Sequence, residues 1–390
     1  MKNFQLLIVL LLIFVAVPGF AQEVETEEDP KVAITGSVDA YYRANFNAPN
    51  KGEFAQAPAT SFGNLPGFSL GMANLIATYE GKKVGFVADL VFGPRGEDAV
   101  FGSPLYAGGL AGSSQIVNQL YVYWSVNDAV TLTMGNFNTF LGYEVISPTG
   151  NFNYSTSYMF SYGPFSHTGL KADFALTDKW SFMAAVMNPT DMTEFNLAGS
   201  YTFGAQLGYA TDAGSTYLNL IYGDQDGRLD TDFPLTSGQS SMGSTFQIDL
   251  TTGFNLSETI YAGLNATYNT SAAGEIFNGS SVSDVDGDGA GFYGIAGYLQ
   301  AATSEKFSIG TRAEYFKVFN GGLGGVVGTN AAGDGSVFAL TLTGNAKVAK
   351  NLTIIPELRL DTMKEDFFVN PSLSPTKNLS SFILAAVFSF

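Results

Sequence analysis

The sequence predicts an all-β protein: a transmembrane, antiparallel, up-and-down β-barrel of about 16 strands, exported behind a cleaved signal peptide. Three observations support this fold class. Apolar and polar residues alternate in segment after segment, and short turns alternate with long loops. Only 14% of the 390 residues are charged, against roughly 25% in soluble domains, while 46% are hydrophobic. We therefore expect part of the surface to face lipid.

The composition also excludes several classes of function. The chain has no Cys and a single His, so a disulfide framework, a thiolate metal site and a His-rich metal site cannot form. Its formal charge of −17 argues against a nucleic-acid partner, because clustered Lys and Arg must meet the phosphates. No cofactor is expected, since downhill diffusion through a barrel needs none.

The amino terminus predicts export. Lys2 precedes an unbroken apolar run from Leu6 to Val17, and the small residues Gly19 and Ala21 complete an A-x-A-like cleavage site. The run is shorter than the ~20 residues that a membrane-spanning helix needs. A signal peptide is therefore the preferred interpretation, and a membrane anchor is the alternative.

Three parts of the chain follow from this interpretation. Residues 1–21 are the predicted signal peptide. Residues 22–31 contain five acids and little that is apolar, so we expect an acidic periplasmic tail. Residues 32–390 are the predicted outer-membrane barrel.

Alternation with a period of two runs through this third part. In its first segment Ile34, Val38 and Tyr42 share one face, and Ser37 and Asp39 share the other, because successive side chains of a strand point to opposite faces. The polar faces use small and uncharged residues, where a soluble sandwich would carry Lys and Glu. Segments of about ten residues with this pattern are typical of transmembrane barrels.

Seven short polar turns separate long loops. The turns are residues 80–83, 126–128, 177–179, 211–214, 255–258, 303–306 and 349–351. The loops are rich in Gly, Asn, Asp, Ser and Pro, as in residues 48–66, 94–114 and 320–335. Outer-membrane barrels have short periplasmic turns and long outer loops. Seven turns join eight hairpins, which makes 2 × 8 = 16 strands with both termini in the periplasm.

Aromatic residues are concentrated beside the short turns. Those on the outward parity are Tyr79, Trp124, Trp180, Tyr209, Phe254 and Phe307. They predict a periplasmic girdle, and core packing is the alternative. The segment that ends at Phe390 is apolar at alternate positions and resembles the carboxy-terminal insertion signal of bacterial outer-membrane barrels. We therefore expect the barrel-assembly machinery to be a partner.

Two stretches resemble the OmpL-like beta-barrel porin-2 family of Gram-negative outer membranes. Gly36–Tyr42 is similar to the opening of that family's first strand. Its most recognisable stretch is similar to the segments Met134–Phe137, Leu141–Ile146, Tyr154–Tyr158 and His167–Gly169. The likeness extends with diminishing strength from about residue 34 to residue 390. The resemblance implies a porin-like outer-membrane barrel, in a family better defined by fold than by substrate.

Charged residues of the strands fall on the inward parity. The predicted pore-lining residues are Asp39, Arg43, Asp89, Lys171, Asp173, Asp249, Arg312, Glu314, Glu357, Arg359 and Asp361. A base facing hydrocarbon at the midplane would cost roughly 2–4 kcal/mol, so this parity favours a wet interior. Seven acids and four bases leave the wall at −3, which predicts a mild cation preference.

Several of these charges are paired by their spacing. The pairs are Asp39 with Arg43, Lys171 with Asp173, and Arg312 with Glu314. The alternative to a pore wall is that such pairs merely hold the strands in register across a filled lumen.

The third long loop, residues 138–166, is the predicted constriction. It holds eight aromatic residues and a single charged one, and so much aromatic surface should fold against something. General porins fold their third loop inward. By that analogy, the residues predicted to narrow the lumen are Phe140, Tyr143, Glu144, Tyr154 and Tyr158. The alternative is a lid packed on the barrel mouth, in which Glu144 is a structural partner of a lumen base.

Two acidic clusters in the loops could bind calcium. Asp284, Asp286 and Asp288 match the start of a calcium loop, but Ile295 stands where an EF-hand needs a bidentate Glu. The second cluster comprises Asp224, Asp226, Asp230 and Asp232. Weak calcium binding that bridges to lipopolysaccharide is one interpretation, and solvated loop tips are the preferred one. No metal site is therefore predicted.

His167 is the remaining candidate for catalysis. Its neighbour Ser166 would point to the opposite face of a strand and is a poor nucleophile for it. We therefore expect no enzyme.

The predicted function is that of an outer-membrane porin. It would be a passive channel for small hydrophilic solutes, with a mild cation preference and with residues 138–166 as its constriction. Outer-membrane lipid and lipopolysaccharide are the expected surroundings. Porins of this strand number are commonly trimers, so a homotrimer is expected, although no residue identifies an interface. The alternatives are a non-conducting structural or adhesive barrel and, less favoured, an outer-membrane hydrolase.

Overall fold

The computed structural model describes most of the chain after residue 30. The described residues are 31–101, 113–196, 199–224, 245–272, 276–277, 280–281, 289–323 and 325–390. The predictions that lie outside them are the signal peptide, residues 22–30 of the acidic tail and the loop acids Asp226, Asp230, Asp232, Asp284, Asp286 and Asp288. Among the described residues, no helix is both long and apolar enough to cross a lipid bilayer.

The strands form one closed barrel and two small hairpins. In chain order they are β1 (Ala33–Asn45), β2 (Gly67–Glu80), β3 (Val84–Phe92), β4 (Val117–Asn127), β5 (Val130–Asn138), β6 (Ser166–Ala175), β7 (Trp180–Met187), β8 (Thr202–Thr211), β9 (Gly214–Gly223), β10 (Thr245–Asn255), β11 (Ile260–Ser271), β12 (Ile276–Phe277), β13 (Ser280–Ser281), β14 (Ala290–Ser304), β15 (Phe307–Phe319), β16 (Gly335–Ala349), β17 (Leu352–Met363), β18 (Phe368–Val369), β19 (Pro375–Thr376) and β20 (Asn378–Ser389). Within the described chain, β12 pairs with β13 and β18 with β19, and the other sixteen strands close the antiparallel barrel, with β20 paired to β1. The predicted fold class and strand number are confirmed.

The alternation in the sequence becomes an outer and an inner face of the barrel wall. In β1, Ile34 and Val38 are 54% and 52% exposed on the outer surface, whereas Ser37 and Asp39 are buried inside. Lipid cannot satisfy polar groups, so apolar side chains cover the outer face and polar ones turn inward. Each of the seven predicted short turns lies between two strands that pair with each other.

Aromatic residues of the predicted girdle lie on the outer surface beside the short turns. Trp180 and Phe307 are 44% and 38% exposed. The rings of Trp180 and Tyr209 lie 4.9 Å apart, across the paired strands β7 and β8. Such rings suit the boundary between hydrocarbon and headgroups, because they have an apolar body and a polar atom.

Two short helices lie in the long loops. Helix α1 (Pro94–Ala99) follows β3, and helix α2 (Tyr158–Tyr162) follows β5. Residues 139–165, which connect β5 to β6 and are called loop 3 below, contain α2. This loop folds back onto inward-facing side chains of the wall.

Because loop 3 folds into the barrel, the buried apolar core of the protein lies inside the lumen. Tyr158 and Met159 of α2 pack with Phe292 of β14 and Phe316 of β15 in one apolar cluster. The rings of Tyr158 and Phe316 are stacked, with centroids 5.7 Å apart. Burial of the aromatic residues of loop 3 against the wall thus replaces the water that an empty lumen would hold.

A second cluster joins the start of loop 3 to strands β5, β7 and β9 of the wall. Phe137 and Leu141 pack with Met183 and Met187 of β7 and with Ile221 of β9. Loop 3 therefore packs against the wall at more than one place around its circumference.

Candidate functional site

Glu314 of β15 fixes the start of helix α2. Its two carboxylate oxygens accept the backbone N–H groups of Tyr158 and Met159 at 2.9 and 2.8 Å. N–H groups of a first helical turn have no partner within the helix. The Ser157 hydroxyl accepts a third one, from Phe160, at 3.1 Å. A buried carboxylate of the wall therefore determines where this helix begins.

Glu357 of β17 binds the preceding part of loop 3 in the same way. It accepts the N–H groups of Tyr154 and Ser155 at 2.8 and 3.1 Å. The hydroxyl of Thr343 also donates to it, at 2.8 Å. Glu357 is 1% exposed, so three hydrogen bonds to a charged acceptor, which are stronger than neutral ones, replace its water.

A buried ion pair joins loop 3 to β15. Arg312 Nη1 lies 2.5 Å from Glu144 Oε1 and donates to the carbonyl oxygen of Ser155 at 2.7 Å. The other carboxylate oxygen of Glu144 accepts the N–H group of Ser157 at 2.7 Å. The spacing in sequence pairs Arg312 with Glu314, but the loop brings Glu144 closer. Glu144 thus has the position that the lid interpretation gives it, as partner of a lumen base.

Arg359 and Asp361 of β17 form a second buried ion pair, 2.8 Å apart. Arg359 Nη1 also donates to the carbonyl oxygen of Thr156 at 2.8 Å. The hydroxyl of Tyr158 donates to Asp361 at 3.1 Å. Burial and the nearby Asp361 raise the pKa of Tyr158 above its ordinary value, so the phenol stays protonated and remains a donor.

Asp39 of β1 holds the middle of loop 3. It accepts the hydroxyl of Tyr154 at 2.5 Å and the N–H group of Met72 at 3.0 Å. Burial and Asp39 raise the pKa of Tyr154, which keeps this phenol a donor as well. Arg43, which the spacing pairs with Asp39, instead donates to the carbonyl oxygen of Gln56 at 2.9 Å.

The two remaining buried acids of the predicted lining have uncharged partners. Asp249 of β10 accepts the N–H group of Gly142 at 2.9 Å and the side-chain amide of Asn265 at 2.6 Å. Asp89 of β3 accepts the side-chain amide of Asn118 at 2.7 Å. Asp249 is therefore a further attachment point of loop 3, whereas Asp89 joins neighbouring strands.

Lys171 and Asp173 of β6 differ from the other nine predicted lining residues. Their side chains form the ion pair that the spacing predicts, at 2.8 Å, and are 24% and 41% exposed. The other nine are buried. Most of the predicted lining charges thus contact loops or neighbouring strands, and this pair remains accessible.

Phe140 and Tyr143 lie on the part of loop 3 that crosses the lumen first. The ring of Tyr143 stacks on Tyr298 of β14 with centroids 4.0 Å apart, and its hydroxyl donates to that of Tyr261 at 3.0 Å. The ring of Phe140 lies 5.1 Å from that of His167. Unlike the buried Tyr154 and Tyr158, these two rings keep part of their surface exposed.

A cavity of about 670 Å³ opens beneath loop 3, toward the short turns. We call it the vestibule. Its lining includes Tyr143 and Phe152 of loop 3 and Tyr217, Tyr261, Gln300 and Ser308 of the wall. Glu144 and Lys347 are its charged lining residues, and Lys347 lies at the rim.

A second cavity, of only about 10 Å³, lies between Gly142 and Met159 of the loop and Gln247 and Asp249 of β10. This is close to the ~10–15 Å³ that one water molecule needs. Loop 3 therefore packs closely against β10 at this point, whereas the vestibule leaves a much larger space on the turn side.

Arg95 of α1 is a site residue that sequence reasoning missed. Its Nε donates to the carbonyl oxygen of Ile146 at 2.8 Å and its Nη1 to that of Tyr154 at 3.2 Å. The guanidinium also lies 4.4 Å from the centre of the Phe62 ring. One signal could have found it, because Arg95 is the single basic residue between β3 and β4.

His167 lies fully buried at the start of β6. Its Nε2 is 2.9 Å from Thr139 Oγ1, and Nδ1 has no hydrogen-bond partner among the described residues. Phe137 and Phe140 pack against the ring. Over the described ranges, no group of three or more His, Asp or Glu side chains is arranged to hold a metal ion.

A closed 16-stranded barrel with apolar outer and polar inner faces defines the outer-membrane barrel class. A family model described as "Putative beta-barrel porin-2, OmpL-like" matches residues 31–390. The chain belongs to this family, as the segments around Gly36 and Met134 indicate. No curated protein matches the chain in sequence.

Solved outer-membrane proteins share the fold. The channel DcaP of Acinetobacter baumannii is 12% identical, with a TM-score of 0.57, over 95% of this chain and 100% of that chain. The anion-selective porin of Comamonas acidovorans is 10% identical, with a TM-score of 0.57, over 93% and 100%. OprB of Pseudomonas putida is 12% identical, with a TM-score of 0.56, over 92% and 94%. At these identities the likeness concerns the fold alone.

Family and fold together make this protein an outer-membrane porin, a β-barrel channel protein of the outer membrane. The predicted family and localisation are thereby confirmed.

Proposed function

We propose that this porin is a passive diffusion channel for small hydrophilic solutes, narrowed by loop 3 and mildly selective for cations. The observation that carries the proposal is the attachment of the loop to the wall. Glu314 and Glu357 accept four of its backbone N–H groups, and Arg312 and Arg359 bind its carbonyl oxygens. A loop attached at so many points has a fixed position, so it would set one pore width. Pore width is a main determinant of what passes a channel.

The vestibule supports a hydrophilic solute. Its volume of about 670 Å³ lies within the roughly 300–1,000 Å³ of cavities that hold small molecules. The accessible pair Lys171 and Asp173 adds polar surface to the inner wall. Diffusion along such a route needs no cofactor, and we assign no catalytic role to His167, which solvent does not reach.

The cation preference rests on the excess of acids. The chain has 35 acidic and 18 basic residues, and the eleven predicted lining residues carry −3. Nine of those eleven are buried, so ions would respond to the summed field of the wall rather than to direct contact. The resulting preference should be mild.

Single-channel recording of the refolded barrel tests this proposal. The protein is inserted in a planar lipid bilayer under a salt gradient. We expect steady open steps and a reversal potential of the cation-selective sign. A folded, heat-modifiable barrel that never conducts would contradict the proposal and favour the non-conducting structural or adhesive barrel. An anion-selective reversal potential would contradict the charge argument alone.

We also propose a homotrimer in a lipid surround that includes lipopolysaccharide. One structure of similar fold, OmpT of Vibrio cholerae at 12% identity and a TM-score of 0.53, is described in a trimer form, and the match covers 93% of this chain and 100% of that one. Light scattering of the detergent-solubilised barrel tests the assembly. A mass of three chains is expected, and a mass of one chain would contradict it.

A further inference from the structure

The vestibule combines aromatic rings with uncharged polar groups. Tyr143 and Phe152 line it from loop 3, and Tyr217 and Tyr261 from the wall. Hydroxyl and amide side chains lie among these rings, including those of Ser308, Gln300, Asn345 and Thr353. A lining of this kind offers apolar faces and neutral hydrogen bonds side by side.

Some of these polar groups are free to bind a solute. The hydroxyl of Tyr217 and the side chains of Gln300 and Ser308 make no hydrogen bond to any part of the chain that the structure describes. Gln300 faces the position of Gly310 on β15, and Ser308 faces Asn345 on β16. Gln300 and Ser308 therefore lie on the neighbouring strands β14 and β15, Tyr217 lies on β9, and all three line one cavity.

Glycine residues of the wall leave space for two of the tyrosine rings that line the vestibule. A Cβ atom at Gly208 would lie 2.9 Å from the ring of Tyr217, and one at Gly253 would lie 1.9 Å from the hydroxyl of Tyr261. Glycine at these two inward positions thus lets each ring lie across the neighbouring strand. The rings then line the vestibule instead of projecting across it.

Charge is nearly absent from the same surface. Glu144 is only 3% exposed and its carboxylate is already paired with Arg312. Lys347 lies at the rim, close to the turn that follows β16. A charged solute that entered would lose water without finding an opposite charge to replace it, which is costly. A neutral solute rich in hydroxyl groups would not.

We propose that the vestibule is a binding site for neutral sugars of about disaccharide size. Aromatic rings would contact the apolar C–H faces of the sugar rings, and Tyr217, Gln300 and Ser308 would bind the sugar hydroxyls. This inference rests on the proposed function, because it names the class of solute that the channel would take. A simple diffusion pore does not distinguish one small neutral solute from another. The proposed site would bind neutral sugars saturably along the same route.

Equilibrium binding by titration calorimetry tests the site directly. The folded barrel is held in a zwitterionic detergent, because a sugar-headed detergent would compete. The probes are maltose and its analogue with glucuronate as the non-reducing sugar, which both have two pyranose rings and differ by one carboxylate. We expect saturable binding of maltose and at least tenfold weaker binding of the glucuronate analogue. Equal binding of the two, or no saturable binding of maltose, would overturn the proposal.

Two matched variants separate the site from a general effect on the barrel. Tyr217→Ala removes a vestibule ring and should weaken maltose binding by about tenfold. Tyr123→Ala is the control, because Tyr123 lies across Gly85 in the same manner but outside the vestibule lining. It should leave maltose binding unchanged. Equal losses in both variants would contradict the assigned location. Heat modifiability on a gel shows that each variant is folded.

Recording single channels from the same preparation keeps the two proposals distinguishable. A barrel that conducts but does not bind maltose retains the proposed function and loses the sugar site. A barrel that binds maltose but does not conduct retains the site and loses the passive channel. In a conducting barrel that binds, maltose should reduce the ion current reversibly over the concentration range in which it binds.

Discussion

The two compartments of this barrel use their side chains in opposite ways. Where loop 3 crosses the lumen, charged groups such as Arg312, Glu314 and Glu357 are buried and hold the loop. In the vestibule below it, the accessible surface is aromatic or polar and carries almost no charge. Inward charge in a barrel therefore need not face solute. Here most of it serves to attach a loop, and the solute meets a different surface.

Removing part of loop 3 should have the largest effect. Deletion of residues 149–162 removes helix α2 and the segment that Glu357 binds. We expect single-channel conductance to rise severalfold, because the proposed constriction is removed. Deletion of residues 371–374, at an exposed hairpin tip between β18 and β19, is the control and should leave conductance unchanged. Unchanged conductance in the first deletion would show that loop 3 does not constrict the channel.

The two kinds of ion pair should differ strongly in their effect on stability. Arg312→Met leaves the buried carboxylate of Glu144 without its partner, and such a loss costs about 3–5 kcal/mol in the free energy of unfolding. Lys171→Met breaks the half-exposed pair with Asp173 and should cost less than about 1 kcal/mol. Urea unfolding of both variants measures the difference. Similar losses of unfolding free energy would mean that the buried and the accessible ion pair stabilise the barrel equally.

Asp191, a buried acid outside the membrane-spanning strands, should make the stability of the barrel depend on pH. Asp191 accepts the N–H groups of Phe165 and Ser166 at 2.7 and 3.0 Å, yet burial raises its pKa to about 6 from the ordinary value of 3.8. A raised pKa in the folded state means that this group favours folding at low pH. That contribution is fully present below about pH 4 and is lost as the pH rises through 6.

Asp191→Asn removes this titration and keeps an oxygen acceptor. The melting temperature of the wild type minus that of the variant should therefore fall between pH 4 and pH 8. Thermal unfolding of both proteins over this range tests the prediction. A difference that rises with pH would show that the two N–H groups outweigh burial.

The smallest expected effect concerns ion selectivity. Lys347→Glu changes the sign of the charge at the vestibule rim and should move the reversal potential slightly toward stronger cation preference. Lys306→Glu, in the turn between β14 and β15, is a control away from the lining and should change it less. Glu357→Gln removes one charge from the summed field of the wall and should have a smaller effect than Lys347→Glu, which changes the charge by two units at an exposed position. A larger shift in Glu357→Gln than in Lys347→Glu would reverse the assignment of the two compartments.

The fold could be predicted from the sequence because its signals are local. Period-two alternation identifies the strands, and polar turns such as residues 177–179 identify the hairpins. Inward parity also follows from a local pattern, so that Asp39 and Glu314 could be placed on the inner face. The pair of Lys171 with Asp173 was predictable for the same reason, because two residues of one strand and one face are neighbours.

The partners of the other charges could not be predicted in this way. Arg312 pairs with Glu144, which lies 168 positions away, and Arg95 reaches Tyr154 across 59 positions. Such contacts depend on the path of loop 3 through the lumen, which many long-range interactions decide together. The spacing along β15 therefore predicted Glu314 as the ion-pair partner of Arg312. In the structure, Glu314 instead binds the start of α2.

Accessibility of single engineered cysteines tests the division into two compartments most directly, since the chain has no native Cys. Ser308→Cys lies in the vestibule, and Ser381→Cys lies on the inner face of β20, where the serine is 1% exposed and its hydroxyl has no partner among the described residues. A charged, water-soluble thiol reagent is added while single-channel current is recorded. Rapid reaction and reduced current are expected for Ser308→Cys, and no reaction is expected for Ser381→Cys. Rapid reaction at position 381 would contradict the division into two compartments, because water would then reach the wall behind the loops.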